Sequence, residues 1–460
     1  MNRSVQWRTR VAAAAAALLS LGVLAACSSS TSSSSSAPAS SSAPAATGAS
    51  AATSSSPAST DTTSACGTKP GVKATGTPIL LGAIDTKVPG TDFSDIENMT
   101  GAYFACVNDN GGINGHPIKY FPLTEPIDPA QIKAKAQLLV TTDHVVGIVG
   151  TSDILECGVD AAYWKAQGFK VIAAGIAPEC YSTPDTASVN MGPRYSSDGA
   201  VQYVIAHGAT KVAFDQSNVP GTQYIAAGPN AIAASKNVPI QDFTDNVPIT
   251  SANGIAIKLV NAAGPNGAVV LNFTPPEALK ILKAAQTLNL ENRVKSWACS
   301  TPCNTDFLAT SLGPKWDNKL FVNAELTPLD GNTSPTAVLF KAILAKYGTD
   351  VTGGVGSFSQ MGFTMGEIAT KALMTITGDY TVQSVNAAFA AVKDLNTGML
   401  CQGFTYGDYP THLPNNMDYT VTPNNGQFVQ ATDGGCTLIS AADPQVAAYR
   451  ALAGTAAVAS

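Results

Sequence analysis

Between Asn108 and Asp153 the chain reads NDNGGINGHPIKYFPLTEPIDPAQIKAKAQLLVTTDHVVGIVGTSD, and few folds accommodate that order of signals. Asn110, Gly111 and Gly112 supply the positive-φ positions that end a helix. Ile118 to Leu123 is an apolar-rich strand. Asp128 is placed to accept from the orphan N–H groups of the next helix, and Pro129 fits its first turn. Ile132, Ala136, Leu139 and Val140 follow at helical spacing and give that helix one face to bury. Val145 to Val149 is wholly apolar, as a parallel strand covered on both faces should be. Gly150, Thr151 and Ser152 then leave its carboxyl end, the edge at which open α/β sheets bind ligands.

The flanking sequence continues the alternation. A strand is expected at Ile79–Ile84, then a polar loop, DTKVPGTDFS, and a helix from about Asp95 to Asn108. After Asp153 come a helix, Glu156–Gln167, and a strand, Lys170–Ala174. Strand and helix alternate without a break, which indicates an α/β fold with a doubly wound parallel sheet. A second βα series starts near Met191. It has helices at Ser197–His207, Gln223–Lys236 (kinked at Gly228-Pro229) and Pro276–Leu288, and a helix from a Ser251 cap to Ala263. Its strands are expected at Lys211–Phe214, Ala268–Leu271 and Val294–Trp297. Met417–Val421 and Gln427–Ala431, separated by Pro-Asn-Asn-Gly, form a hairpin. Two βαβ bodies in series imply a cleft between them.

The run GGINGHPI followed by DPAQIKAKAQLLVTTDHVVGIVG resembles the first lobe of type I periplasmic-type solute-binding proteins, the Leu/Ile/Val-binding branch. In element order the resemblance extends over roughly Gly76 to Ala431. It implies two doubly wound lobes joined by a three-strand hinge, with crossings near Gly192, Asn323 and Thr397. Helices Thr333–Tyr347 and Gly362–Thr377 would return to the first lobe. Lobe 1 would then be 66–192 plus 323–397, lobe 2 would be 193–322 plus 398–440, and 441–460 would be a C-terminal tail without a clear signal.

Arg3, Arg8 and Arg10 precede an apolar run, Val11–Ala26, too short for a comfortable membrane span. It ends Leu24-Ala25-Ala26-Cys27, which resembles the bacterial lipobox. Residues 1–26 then read as a signal peptide, and Cys27 as a lipidated anchor on the outer face of the bacterial cell membrane. Residues 27–65 are nearly all Ser, Ala, Thr and Pro, unable to bury enough apolar surface to fold. Such a tether reaches roughly 35 Å. Without the leader the chain keeps 23 basic and 32 acidic residues, a charge of −9, the wrong sign for a nucleic-acid face.

Eight further cysteines, an even number in an exported chain, read as disulfides. Placement along the elements favours Cys66–Cys106, Cys157–Cys180, Cys299–Cys303 and Cys401–Cys436. A metal reading of Cys299-Ser-Thr-Pro-Cys303 competes, although neither His nor a second Cys pair stands nearby at zinc spacing.

Of the four histidines, His116, His144, His207 and His412, the first and third lie in turn contexts and His144 precedes a strand, and no HExxH, GxSxG or Walker pattern occurs. Gly353, Gly354 and Gly356 have neither a feeding strand nor a following Lys-Ser/Thr. No cofactor, metal or catalytic residue is expected. What remains is a cleft lined by loops after strands. Ser152 and Asp153 stand at a helix N-terminus, where an anionic ligand group is favoured, although Asp153 serves equally as that helix's N-cap.

The resemblance also implies that Glu277, in Thr274-Pro275-Pro276-Glu277, meets a ligand ammonium; the alternative is simply an acid in a helix's first turn. Where amino-acid binders of that branch carry hydroxyls for the ligand carboxylate, this chain has Asp153-Ile154-Leu155 and Gly175-Ile176-Ala177. Phe93, Gln216, Asn218, Phe273, Ser359 and Gln360 complete the candidate cleft residues. The function so implied is monomeric capture of a small molecule (a branched-chain amino acid, amide or related amphipathic solute) for delivery to an ABC import permease. A ligand sensor for a signalling partner and an extracellular α/β enzyme are the alternatives.

Overall fold

The computed structural model describes residues 65–453. The expected signal peptide, Cys27, nearly all of the tether and the last seven residues of the tail lie outside the described residues. The first lobe opens with β1 (Ile79–Val88), β2 (Thr91–Asp92), α1 (Ser94–Asp109), β3 (Ile118–Glu125), α2 (Pro129–Thr141) and β4 (Gly147–Thr151), followed by α3 (Glu156–Gln167), β5 (Val171–Ala173) and β6 (Thr186–Ser188). The second has α4 (Gly192–Ala206), β7 (Val212–Ser217), α5 (Ala227–Ser235), β8 (Ile240–Asp245), α6 (Ala252–Ala263) and β9 (Ala268–Asn272), then α7 (Pro275–Thr287), β10 (Ser296–Cys299), α8 (Asp306–Leu312) and β11 (Leu320–Ala324). Helices α9 (Pro335–Tyr347), α10 (Ser357–Leu373) and α11 (Val382–Ala390) return to the first lobe. Strands β12 (Met417–Asn424), β13 (Gln427–Gln430) and β14 (Thr437–Leu438) and helix α12 (Pro444–Ala453) end the described chain.

The parallel strands run β3-β1-β4-β5-β6 in one sheet and β8-β7-β9-β10-β11 in the other, the same winding twice. Strands β12 and β13 extend the second sheet antiparallel. Each sheet is buried on both faces, which is why β4 and β9 are buried throughout and carry only apolar residues and glycine up to their last positions, Thr151 and Asn272. Helix α2 starts as expected: Asp128 accepts from the N–H groups of Ala130 and Gln131 with Pro129 at the first position. Helix α10 lies close on α1 because Gly362 and Gly366 have no side chains; a Cβ at Gly362 would stand 2.0 Å from the Ile96 carbonyl oxygen. That approach sets Phe358 against Phe93.

Several elements differ from the sequence reading. The polar loop after Ile84 is partly strand: β1 continues to Val88 and turns at Pro89-Gly90 into β2, pairing Lys87 with Asp92 and Val88 with Thr91. Helix α5 begins at Ala227, not Gln223, so Gly228-Pro229 lies in its first turn and no mid-helix kink arises. Strands β6, β8, β11 and β14 and helices α8, α11 and α12 were not anticipated. Within the expected tail, α12 buries Val446 and Tyr449 against Tyr181, Tyr195 and Leu413.

The third crossing lies beyond Thr397: Phe404 and Tyr406 still pack in the first lobe's core, and the chain changes lobes within 407–416. All four expected disulfides form, with Cα–Cα distances of 6.2, 5.1, 6.0 and 5.8 Å in chain order. Cys299 and Cys303 therefore pair with each other. With the crossing moved, Cys401–Cys436 spans the two lobes.

The three crossings are bonded to one another. The Asn415 amide donates to the Val189 carbonyl (3.2 Å) and the Glu325 carbonyl (2.9 Å), and the Glu325 carboxylate accepts from the Met191 N–H (2.6 Å). Asn415 is fully buried. Asn415→Ala removes the donor from both carbonyls and is expected to cost about 1–3 kcal/mol, read as a shifted urea midpoint; an unchanged midpoint would show that water replaces the amide. Thiol labelling of the native protein under denaturing, non-reducing conditions should find no reactive cysteine among the eight.

Candidate functional site

Right-handed crossovers deliver every parallel strand to the same sheet edge, and here the carboxyl edges of both sheets meet around a cavity of about 70 Å³. From the first lobe, Ile154 follows β4, Ala174 and Ile176 follow β5, and Asn190 follows β6. Phe93, the N-cap of α1, stands edge-on to Phe358 at the start of α10, with ring centroids 5.4 Å apart. From the second lobe, Ser217 ends β7 and Val219 and Thr222 follow it, Asn272 to Thr274 leave β9, and Thr301 with Pro302 follows β10. None of the residues lining the cavity is charged.

The lobes touch around it. Thr274 Oγ1 donates to the Gly90 carbonyl across the rim (2.9 Å), and the Tyr224 hydroxyl donates to the Ile176 carbonyl. Outside that rim lies a larger hollow of about 350 Å³, bordered by Asp92, Asp95, Glu277 and the glycines 353, 354 and 356.

The sequence-derived candidates separate into three places. Phe93, Ile154, Ile176, Phe273 and Thr274 line the cavity. Glu277 and Ser359 border the outer hollow. There Lys280 Nζ holds both Glu277 oxygens at 2.8 and 2.9 Å, and the Ile249 N–H donates to one of them at 2.6 Å, so the carboxylate is spent on the fold. The rest stand behind or beside the wall. Gln216 donates to the Thr222 carbonyl, Gln360 to the Thr327 carbonyl, and exposed Asn218 to Asn246.

Ser152 is buried, and Asp153 caps α3: its Oδ1 accepts from the N–H groups of Leu155 and Glu156, its Oδ2 from the Thr86 hydroxyl. Asn190, Asn272, Thr301 and Phe358 were missed. Thr301-Pro302 repeats the strand-then-Thr-Pro pattern of Thr274-Pro275, a signal present in the sequence.

Behind the first lobe's wall sits a group of buried acids. Burial pushes Asp153 up to about 9, with neighbouring Glu125 adding to the effect, and Asp85 up to about 6. Glu97 is raised further by burial and by Asp85. Asp153 thus holds its proton at neutral pH, and the raised values of its neighbours reflect the cost of placing several carboxyl side chains together away from water.

A family model described as periplasmic binding protein matches residues 89–431. The chain belongs to the periplasmic binding proteins. Solved structures of similar fold include a branched chain amino acid ABC transporter protein from Thermus thermophilus with bound valine (TM-score 0.70, 15% identity, covering 82% of this chain and 99% of that one). Another is a fatty acid ABC transporter substrate-binding protein from Thermomonospora curvata (0.66, 16%, 82% and 95%). A third is a solute binding protein of an ABC transporter from R. palustris in complex with benzoate (0.60, 15%, 79% and 98%). At such identities the likeness is one of fold. A search of curated proteins finds no match.

In this periplasmic binding protein the raised Asp153 has a measurable consequence. Unfolded, it ionises near 3.8; folded, it keeps its proton to about 9. Between those values the folded state binds more protons, so this group's contribution to stability falls as pH rises. Asp153→Asn retains an acceptor for the α3 cap and resembles the protonated form. Its melting temperature should gain on the wild type's from about pH 4 towards pH 9, whereas a pH-independent difference would mean that Asp153 is ionised in the fold.

Proposed function

We propose that this protein is the extracytoplasmic solute receptor of an ABC importer, held at the outer face of the membrane by a lipid on Cys27. It takes a small molecule into the interlobe cavity and hands it to a permease. The observation that carries this reading is the placement of the cavity: its walls are drawn from the loops after seven strands of two lobes, and the lobes close round it on a bonded hinge. A guest that contacts both walls favours the closed arrangement by its difference in affinity for the two states.

Several features support capture without turnover. The family is one of binding proteins, the wall has no charged residue to serve as acid or base, and the fold neighbours named for a cargo carry valine, fatty acid or benzoate. The tether and anchor give the receptor reach to a membrane-embedded partner. No described helix is long and apolar enough to cross a membrane.

Isothermal calorimetry of the purified chain against amino acids, amides, alcohols and aromatic acids should find a one-to-one binder. Mass spectrometry of the intact membrane-extracted protein should show diacylglycerol on Cys27. Silence across a broad panel, with no small molecule released on denaturation, would count against the receptor.

A further inference from the structure

The charge balance of the cavity narrows its guest. We propose, on the basis of the receptor reading above, that the ligand is an uncharged, mainly apolar molecule about the size of one substituted ring, and not a zwitterionic amino acid or a carboxylate.

A zwitterion enclosed between the lobes needs each of its charges met by a counter-charge or by several hydrogen-bonding groups aimed at it, because a buried charge without them is strongly disfavoured. No free counter-charge lines the cavity, and the wall hydroxyls of Thr222 and Thr274 already donate to the Val219 and Gly90 carbonyls. Two nearby carboxylates are engaged within the fold: Asp153 by two backbone N–H groups and the Thr86 hydroxyl, and Glu277 by Lys280 and the Ile249 N–H. The cation next to the wall, Arg194, directly follows Pro193, but its guanidinium is bound through Nε and Nη2 to Asp443 at 2.6 and 3.0 Å. Lys280 lies outside the rim on Glu277.

Helix N-termini, the other common anion sites, are also engaged. The Ile154 N–H donates to Thr86 Oγ1, and the Thr301 N–H to Ser196 Oγ. At three of the strand-to-helix turns a proline, Pro193, Pro275 or Pro302, stands at the first or second position and has no N–H to give.

What the wall does offer is apolar surface with a few neutral polar groups. Phe93, Phe273 and Phe358 present aromatic faces and edges, and Ile154, Ile176 and Val219 fill the space between them. Asn272 accepts from the Ser300 hydroxyl through Oδ1 (2.6 Å), leaving its amide N–H groups for a guest. Such a surface suits an alcohol, amide, ketone or phenol with one polar end. The cavity has room for on the order of five waters, which matches a guest of one ring.

The test is calorimetric titration of the full-length protein with matched pairs that differ in charge: benzamide against benzoate, 3-methylbutan-1-ol against leucine, and 2-phenylethanol against phenylalanine. The neutral member of at least one pair should bind one-to-one and at least tenfold more tightly than its charged partner. Ile176→Ala, checked for an unchanged melting temperature, should weaken that binding several-fold. A charged member that binds as tightly as its neutral partner overturns the ligand class and leaves the receptor intact. Failure of every compound to bind, with no small molecule released from the denatured protein, overturns both.

Discussion

Two neighbouring parallel strands cannot be joined by a hairpin. The first must hand the chain to a crossover, and the crossover has one hand. Every strand of the two central sheets therefore releases the chain at the same edge, and a wall of short loops and helix starts accumulates there without being specified residue by residue. This protein sets two such edges against each other. The cavity between them follows from chain direction, and only its chemistry is left to side chains such as Phe93, Ile176 and Phe273.

That chemistry is divided by depth. The wall is apolar and neutral, while a layer of acids lies directly behind it in the first lobe, either protonated or held by fixed donors. Asp153 belongs to this second layer: one residue away from Ile154, which lines the cavity, it turns inward and holds the end of α3. Adjacent positions at a strand end thus do opposite work, one shaping the cavity and the other keeping the helix behind it in place.

The same division explains what the sequence made legible. Long apolar runs with capping residues declared themselves, as in α2 behind Asp128-Pro129 and in α3, whose limits match the structure. Strand β8, IQDFTD, did not, because an edge strand open to water carries polar residues and loses the apolar run. Strand β6, Thr-Ala-Ser, is too short and too small to show a period. The third crossing lies beyond Thr397 because Phe404 and Tyr406 pack in the first lobe's core, a long-range contact that the local sequence does not signal. Among the candidate residues, place after a strand located Phe93, Ile154, Ile176, Phe273 and Thr274 at the wall. It could not separate them from Gln216 or Gln360, whose side chains turn away to bond backbone carbonyls, since direction depends on rotamer and neighbour and not on position.

The Cys401–Cys436 bridge adds a fourth strap beside the three polypeptide crossings, and it ties the last stretch of one lobe to the outermost strands of the other. A door hung on four pins swings about a line that passes near all of them. Any rotation that parted the lobes would have to leave those sulfur atoms joined, whereas at the Gly90 and Thr274 rim the lobes meet through a hydrogen bond and not through covalent chain. The straps thus leave that rim unlaced, on the side where the acidic hollow lies.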